Sequence, residues 1–442
     1  MALAPTIRAK VEHCLENAAD PRGEGSNTFT RIYADEAKLT ADYFDQALVL
    51  RIELPPLAGM VVSIKDLFDA TGEVTRAGSR ARTGEEPAPR DAEIVRRLRE
   101  AGAIIIGRTT MTEFAFSGLG LNPHFGTPAN PWERDQRRIP GGSSSGAAIS
   151  VTDRMAEAAI GTDTGGSVRI PAALCGLVGF KPTARTVPLQ GTLPLSPSFD
   201  SIGPLAPSVG ECARLYGVLS GHNVSPQPPS MRHPATFMVL KNQVLEDLDA
   251  QVARTYEQTL NLLSDLGFKL VERHSSAVAN LAEIMQDGGI VAAEAFEWHE
   301  TLLGRKGAAY DPRVRSRIER GAKHRAADYI RRLQLRTRLI SEWERELTGF
   351  DAVLAPTVPT IAPRIGELET SDEAYSRANL LMLRNTTIVN ALDGCAISLP
   401  CQEPATAPVG LMVIGASRSD WPLLSLAAEL ESGIKAVRFK GE

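Results

Sequence analysis

Two short runs of branched apolar residues bracket a helix-like segment, and that alternation limits the fold more than any other feature of the chain. Met60 to Ile64 (MVVSI) is too short for a buried helix and reads as a strand covered on both sides, closing at Lys65-Asp66. From Asp91 to Ala101, Ile94, Val95 and Leu98 share one face, which predicts a helix with Asp91 as its cap. Gly102 to Gly107 (GAIIIG) then predicts a second buried strand. Helix followed by apolar strand indicates α/β architecture with a largely covered sheet.

The rest of the chain fits that frame. Residues 5 to 50 predict two short amphipathic helices broken near Pro21–Gly25, and the Gly-, Pro-, Asn- and Ser-rich stretch 120–146 predicts mostly loop. Ala147 to Ala159 is small and apolar, suited to close packing on a sheet. A second helical region is expected from about Asp311 to Thr348, with Ile330, Leu333 and Ile340 as part of its apolar stripe and its many charges on solvated faces. Phe350–Pro356 predicts a strand, and Ala396–Pro400 with Val409–Gly415 a late strand pair. The expected organisation is one domain: a core over 40–225, a helical elaboration over 230–345 and a return to the core sheet over 350–442.

Charge and cysteine content exclude several function classes. Lys and Arg number 48 against 53 Asp and Glu, a net charge of −5, so there is no electrostatic footprint for nucleic acid or an anionic membrane. A small or neutral substrate fits such a surface better than a polyanion. The five cysteines, Cys14, Cys175, Cys212, Cys395 and Cys401, are odd in number and form no CxxC, which reads as free thiols in a reducing compartment. MALAPTIRAKVEHCLENAAD has no apolar signal core, and no run reaches the roughly 20 apolar residues of a membrane helix, so a cytoplasmic protein is expected.

The chemistry concentrates in two segments, Gly141–Ala148 (GGSSSGAA) and Gly161–Arg169 (GTDTGGSVR). Glycines let backbone amides converge on an anion, and hydroxyls beside them serve as nucleophiles when a base is near. A phosphate cradle would need a lysine after its last glycine, and neither segment has one. Gly142 to Gly146 matches G-x-S-x-G, but PWERDQRRIP precedes it where a nucleophile elbow needs a strand. A purely structural glycine loop would account for one such segment alone. Two of them, with a lysine at a strand end, favour catalysis. His13, His124, His222, His233, His274, His299 and His324 form no ligand-spaced pair, and only His124 falls near the loops. Without an evident histidine base, a Ser–Lys mechanism is the natural candidate.

At these segments the chain resembles the amidase signature enzymes. The resemblance is carried by Pro56–Asp66 (PLAGMVVSIKD), GRTTMTEF at 107–114, GGSSSGAA, GTDTGGSVRIPAALCGLVGFKPT, FDSIGP at 199–204, the Asn390–Pro400 stretch and Pro408-Val409-Gly410. It implies a single large domain with a mixed central β-sheet covered by helices on both faces. It also implies Ser167 as nucleophile, Ser143 as the bridging serine after a cis peptide at Gly142, and Lys65 as the base. Backbone amides of Thr164, Gly165, Gly166 and Ser167 would form the oxyanion hole, with Ser144 in support. Asp163 and Arg169 would either buttress the loop or touch substrate, and Lys181 would be structural. The implied reaction is hydrolysis of a small carboxamide to a carboxylate and ammonia or an amine, through an acyl-enzyme, with no metal or organic cofactor.

The same motifs occur in the glutaminase-type subunit of tRNA-dependent amidotransferase, which passes ammonia to a partner, and a binding protein without turnover is a third reading. Residues 185–198 (RTVPLQGTLPLSPS) resemble stand-alone amidases more. Pocket walls are expected around Met111–Leu121, His124 and 280–345, with Phe114, Phe116, Phe296 and Tyr329 as candidates. Apolar walls would favour aliphatic or aryl amides, and an exposed Arg169 a carboxylate-bearing one. A homodimer is the commonest assembly for an oligomeric soluble enzyme.

Overall fold

Eleven strands form one sheet in a computed structural model that describes residues 6–222 and 235–438. His233 and the outer ends of the expected segments, at 1–5, 223–225, 230–234 and 439–442, lie outside the described residues. The strands are β1 (Phe29–Ile32), β2 (Val61–Lys65), β3 (Ile104–Thr109), β4 (Ala158–Thr162), β5 (Val178–Lys181), β6 (Ile202–Ala206), β7 (Thr236–Leu240), β8 (Lys269–Arg273), β9 (Ala352–Pro356), β10 (Cys395–Pro400) and β11 (Gly410–Gly415). Their order is β1-β3-β2-β4-β6-β5-β10-β11-β9-β7-β8. β3, β2 and β4 run parallel, the centre from β4 through β9 pairs antiparallel, and β9, β7 and β8 are parallel again. The sheet is therefore mixed.

Side chains alternate between two covered faces, as the period of a strand requires. In β9, Ala352 and Leu354 face one hydrophobic layer and Val353 and Ala355 the other; in β11, Leu411 and Val413 oppose Met412 and Ile414 in the same way. The first layer is closed by helices Glu93–Glu100, Val209–Ser220, Ala250–Asp265 and Asp420–Arg438, through Leu98, Leu215, Leu263 and Leu430 among others. On the second face Trp343 and Leu339 of helix Ala326–Glu346 cover β9 and β11. Helix Ser145–Thr152, all Ser, Gly, Ala, Ile, Val and Thr, packs against β4 through Ala147, Ala148 and Ile149.

Several local expectations need correction. Asp91 does not cap its helix, which starts at Glu93 behind Ala92; its Oδ1 instead accepts from Thr71 N (2.8 Å) and Thr71 Oγ1 (2.9 Å). Between the two N-terminal helices the chain adds β1 to the sheet edge, antiparallel to β3. The region 230–345 is not purely helical, because β7 and β8 lie within it. β5 and β6 occupy the centre of the sheet although β6 holds Pro204, which has no N–H to give a ladder.

Candidate active site

The parallel pairing of β2 with β4 brings their C-terminal ends, Lys65 and Thr162, to one edge of the sheet. That is where open α/β sheets offer room for a ligand. Lys65 Nζ donates to Ser143 Oγ at 2.7 Å and to Thr162 Oγ1 at 2.8 Å. Every side chain of β2 is buried, Lys65 included. Burial drives the lysine pKa down from 10.5 to about 7, and the negative charges of Asp163 and Asp200 only partly oppose this. An amine in that state is available as a proton acceptor near neutrality.

Asp163, one residue beyond β4, organises the second glycine segment. Its Oδ1 accepts from Gly166 N (2.8 Å), Arg169 Nη2 (2.9 Å) and Asn390 Nδ2 (3.0 Å). Its Oδ2 accepts from Val168 N (3.2 Å) and Arg169 Nε (3.0 Å), while Arg169 Nη2 also donates to Asn390 Oδ1 (2.7 Å). Burial pushes this carboxyl upward, but the Arg169 charge and its hydrogen bonds outweigh it and hold the pKa at about 2. Asp163 and Arg169 are thus a closed, fully buried pair beneath the loop, and neither lines the cavity above it. Lys181 is likewise spent on carbonyls, those of Pro182 (2.7 Å) and Gly394 (2.8 Å).

The loop above the pair is held from its other side. Gly165 O accepts from Thr386 Oγ1 (2.6 Å) and Thr387 Oγ1 (3.1 Å), so the Gly165–Gly166 peptide spans from two threonines to Asp163. Gly166 has φ of 137°, and a Cβ there would stand 2.2 Å from Thr386 Oγ1. One expectation is corrected here. The Gly166 N–H is committed to Asp163 and does not face the cavity, whereas Thr164, Gly165 and Ser167 line it. The N–H groups of these three make no hydrogen bond among the described residues. Thr164 Oγ1 donates to Asp200 Oδ1 at 2.5 Å, and burial pushes the Asp200 carboxyl up to about 6 despite that bond and those from Ser196 and Leu195 N–H.

Ser143 and Ser144 enter from the first segment. The Gly142–Ser143 peptide is cis. Ser144 N donates to Ser167 O (3.3 Å) and Ser144 Oγ to Thr162 O (3.4 Å), which ties the two segments together. No hydrogen bond among the described residues joins the Ser143 and Ser167 hydroxyls directly. Contacts of this kind often tighten only around bound substrate.

Ser167 opens onto a cavity of about 490 Å³. Of the aromatic candidates, Phe116 lines it. Phe114 instead stacks on His299 and Tyr310 in the core, Phe296 packs against that same core, and Tyr329 Oη donates to Glu294 Oε1 (2.8 Å). His124 pairs with the buried Glu113 at 3.0 Å. Arg317 and Arg320 come from the expected 280–345 wall, though sequence did not single them out, and the 379–391 segment with Arg384 also lines the cavity and was not expected from sequence. Among the described residues no cluster of three or more His, Cys, Asp or Glu side chains could hold a metal ion.

The chain is similar to known proteins over nearly its whole length. The amidase family model matches residues 11–424. The chain is 33% identical over 437 residues to 2-amino-5-chloromuconic acid deaminase of Comamonas testosteroni, covering 97% of this chain and 92% of the relative. It is 34% identical over 412 residues to a component of the glutamyl-tRNA(Gln) amidotransferase of Symbiobacterium thermophilum, covering 85% and 83%. A crystal structure of an amidase superposes with a TM-score of 0.86 at 32% identity, over 97% of this chain and 96% of that one. Among the described residues no helix is long and apolar enough to cross a membrane.

Proposed function

This chain belongs to the amidase family, and from that premise we propose that it hydrolyses a small carboxamide through an acyl-enzyme on Ser167. Neutral Lys65 takes the proton of Ser143 as Ser143 takes that of Ser167, reversing the direction of the Lys65–Ser143 hydrogen bond. Ser167 Oγ then forms a bond to the amide carbonyl carbon. The developing oxyanion is received by the unspent N–H groups of Thr164, Gly165 and Ser167. Collapse breaks the C–N bond, and the relay returns its proton to the departing ammonia or amine. Water, activated along the same path, cleaves the ester to the carboxylate and restores Ser167. Ser144, Asp163 and Arg169 hold the loop without touching substrate.

The observation that carries this reading is the 2.7 Å contact of Ser143 with a fully buried lysine whose pKa burial has brought to about 7. A fluorophosphonate probe tests it. The folded protein should be labelled on Ser167, and Lys65→Ala should lose the labelling; an unlabelled Ser167 in active protein would refute the assignment.

A stand-alone enzyme is favoured over an amidotransferase component by near-full-length similarity to a relative named as a deaminase, which also supports ammonia as leaving group. Ammonia release without a co-purifying partner is the corresponding check. The five cysteines are free and buried, which fits a cytoplasmic setting. Helix Ala34–Val49 exposes Leu39, Tyr43, Leu48 and Val49, an apolar surface that supports a homodimer, measurable by light scattering.

A further inference from the structure

Ser167 shares its cavity with three guanidinium groups, and none of them is in an ion pair among the described residues. Arg317, on helix Pro312–Ile318, gives Nη1 to Phe116 O at 2.6 Å and lies 5.1 Å from the Tyr375 ring centroid. Arg313, one turn earlier over the same ring at 4.5 Å, is paired with Asp372 at 2.7 Å. No carboxylate among the described residues comes within ion-pair distance of Arg317. Arg384, in another wall, donates to Asn385 Oδ1 (3.1 Å) and Val244 O (3.4 Å), and Arg320 is exposed. Among the described residues Asp287 is the one carboxylate in the lining, leaving a wall charge of 3 − 1 = +2.

A guanidinium has five N–H donors, and Arg317 directs one of them to a backbone carbonyl. A half-buried cation with spare donors in a mainly apolar pocket is matched by an anion that arrives with the ligand. Burial and the neighbouring Arg320 charge also hold the pKa of Arg317 below its ordinary value, with the Asp311 carboxylate opposing them.

We infer that this cavity selects amides whose far end carries a carboxylate, with Arg317 as its principal ligand and Arg384 and Arg320 adding to the positive field. The inference rests on the hydrolytic reading given above for its place in a reaction. The substrate is then the monoamide of a dicarboxylic acid; hydrolysis of its C–N bond by water yields the dicarboxylate and ammonia. A planar fork facing a planar carboxylate allows two parallel hydrogen bonds, which would fix the distance between the charged end and the scissile carbonyl.

The test compares the straight-chain monoamides malonamate, succinamate, glutaramate and adipamate with unsubstituted amides of the same carbon count. At least one monoamide should be preferred by about 100-fold in kcat/KM. Arg317→Gln should lower that ratio roughly 30-fold, mainly through KM, and Arg317→Lys should restore part of it. Arg384→Gln should give a smaller loss in the same direction, which covers the case that Arg317→Gln fails to fold. In parallel, the corresponding dicarboxylates are titrated calorimetrically into wild type and variants. Equal turnover of charged and neutral amides with no dicarboxylate binding would overturn the subsite and leave the hydrolase standing. Dicarboxylate binding lost in Arg317→Gln, with no amide hydrolysed, would leave the subsite and overturn the hydrolase. A preference untouched by every arginine variant would overturn the assignment to these residues.

Discussion

Lys65 Nζ and Ser143 Oγ stand 2.7 Å apart, both closed off from solvent, at the point where β2 ends beside β4. The contact arises from a parallel strand pair, which delivers a lysine and Thr162 to one edge, and from a glycine-rich turn that reaches the same place from another part of the chain. Burial does two things to the lysine: it lowers its proton affinity and leaves Ser143 and Thr162 as its hydrogen-bond partners.

The first consequence is a pH dependence. Below a pH of about 7 Lys65 is protonated and cannot receive the Ser143 proton. For an uncharged amide, kcat/KM should therefore fall about tenfold for each pH unit on the acid side of that value. Asp200, with its pKa of about 6, lies close by, so the profile should be repeated in Asp200→Asn. An acid limb that persists in that variant, moved to lower pH by loss of the Asp200 charge, assigns it to the lysine, and a flat wild-type profile across the slightly acid range would contradict the assignment.

A stability effect of the same sense accompanies it. Moving a lysine from 10.5 to about 7 amounts to roughly 5 kcal/mol of lost stability wherever the unfolded chain and the folded protein are both protonated. That cost is complete below about pH 7 and fades as the pH rises toward 10.5, because the folded lysine is then neutral already. Lys65→Met should abolish activity. It should also stabilise the fold by about 2 kcal/mol near pH 6, after roughly 3 kcal/mol is deducted for the two stranded hydroxyls. Toward pH 9 the effect should move by about 3 kcal/mol, turning the gain into a loss of about 1 kcal/mol. Urea unfolding at the two pH values checks the sign.

How much of this was legible in the sequence depended on how local each feature is. Lys65, Ser143 and Ser167 sit in compact motifs, and β2, β3, β9, β10 and β11 were readable as short runs of apolar residues between breakers. β5 and β6 were not, since VGFK and IGPLA carry glycine, a lysine and a proline in central strands. The arginines of the cavity were hidden for another reason. Arg313, Arg315 and Arg317 alternate along one segment, and only the folded helix shows that the first two find Asp372 and Glu319 while the third turns to the cavity. The commitment of Gly166 to Asp163 was equally out of reach, because it depends on Thr386, Thr387 and Asn390 arriving from more than 200 residues away.

The loop itself can be probed with one methyl group. Gly166→Ala must place a Cβ 2.2 Å from Thr386 Oγ1 at a φ of 137°, so the turn has to shift. We expect kcat to drop by about 100-fold or more, because a displaced turn misaligns the neighbouring N–H donors. Gly165→Ala meets Thr387 Oγ1 at 3.3 Å, a contact that a small movement relieves, and should cost less. Steady-state rates with one amide substrate rank the two, and the reverse order would refute the role given to Gly166.

The buried pair beneath the loop makes a separate prediction. Arg169→Met leaves the Asp163 carboxylate without its counter-charge in a site closed to water. Loss of one partner of such a pair typically costs about 3–5 kcal/mol. The variant should therefore melt well below wild type and lose activity with it. Unchanged melting would show that Arg169 does not hold the loop.

The most direct test of the central claim is ammonia release by the purified protein alone, over a panel of primary amides that includes glutamine, small aliphatic and aryl amides and dicarboxylic monoamides. The account predicts release from at least one amide other than glutamine, abolished in Ser167→Ala. Release that survives in Ser167→Ala, or release from glutamine alone and only with a partner protein present, would contradict it.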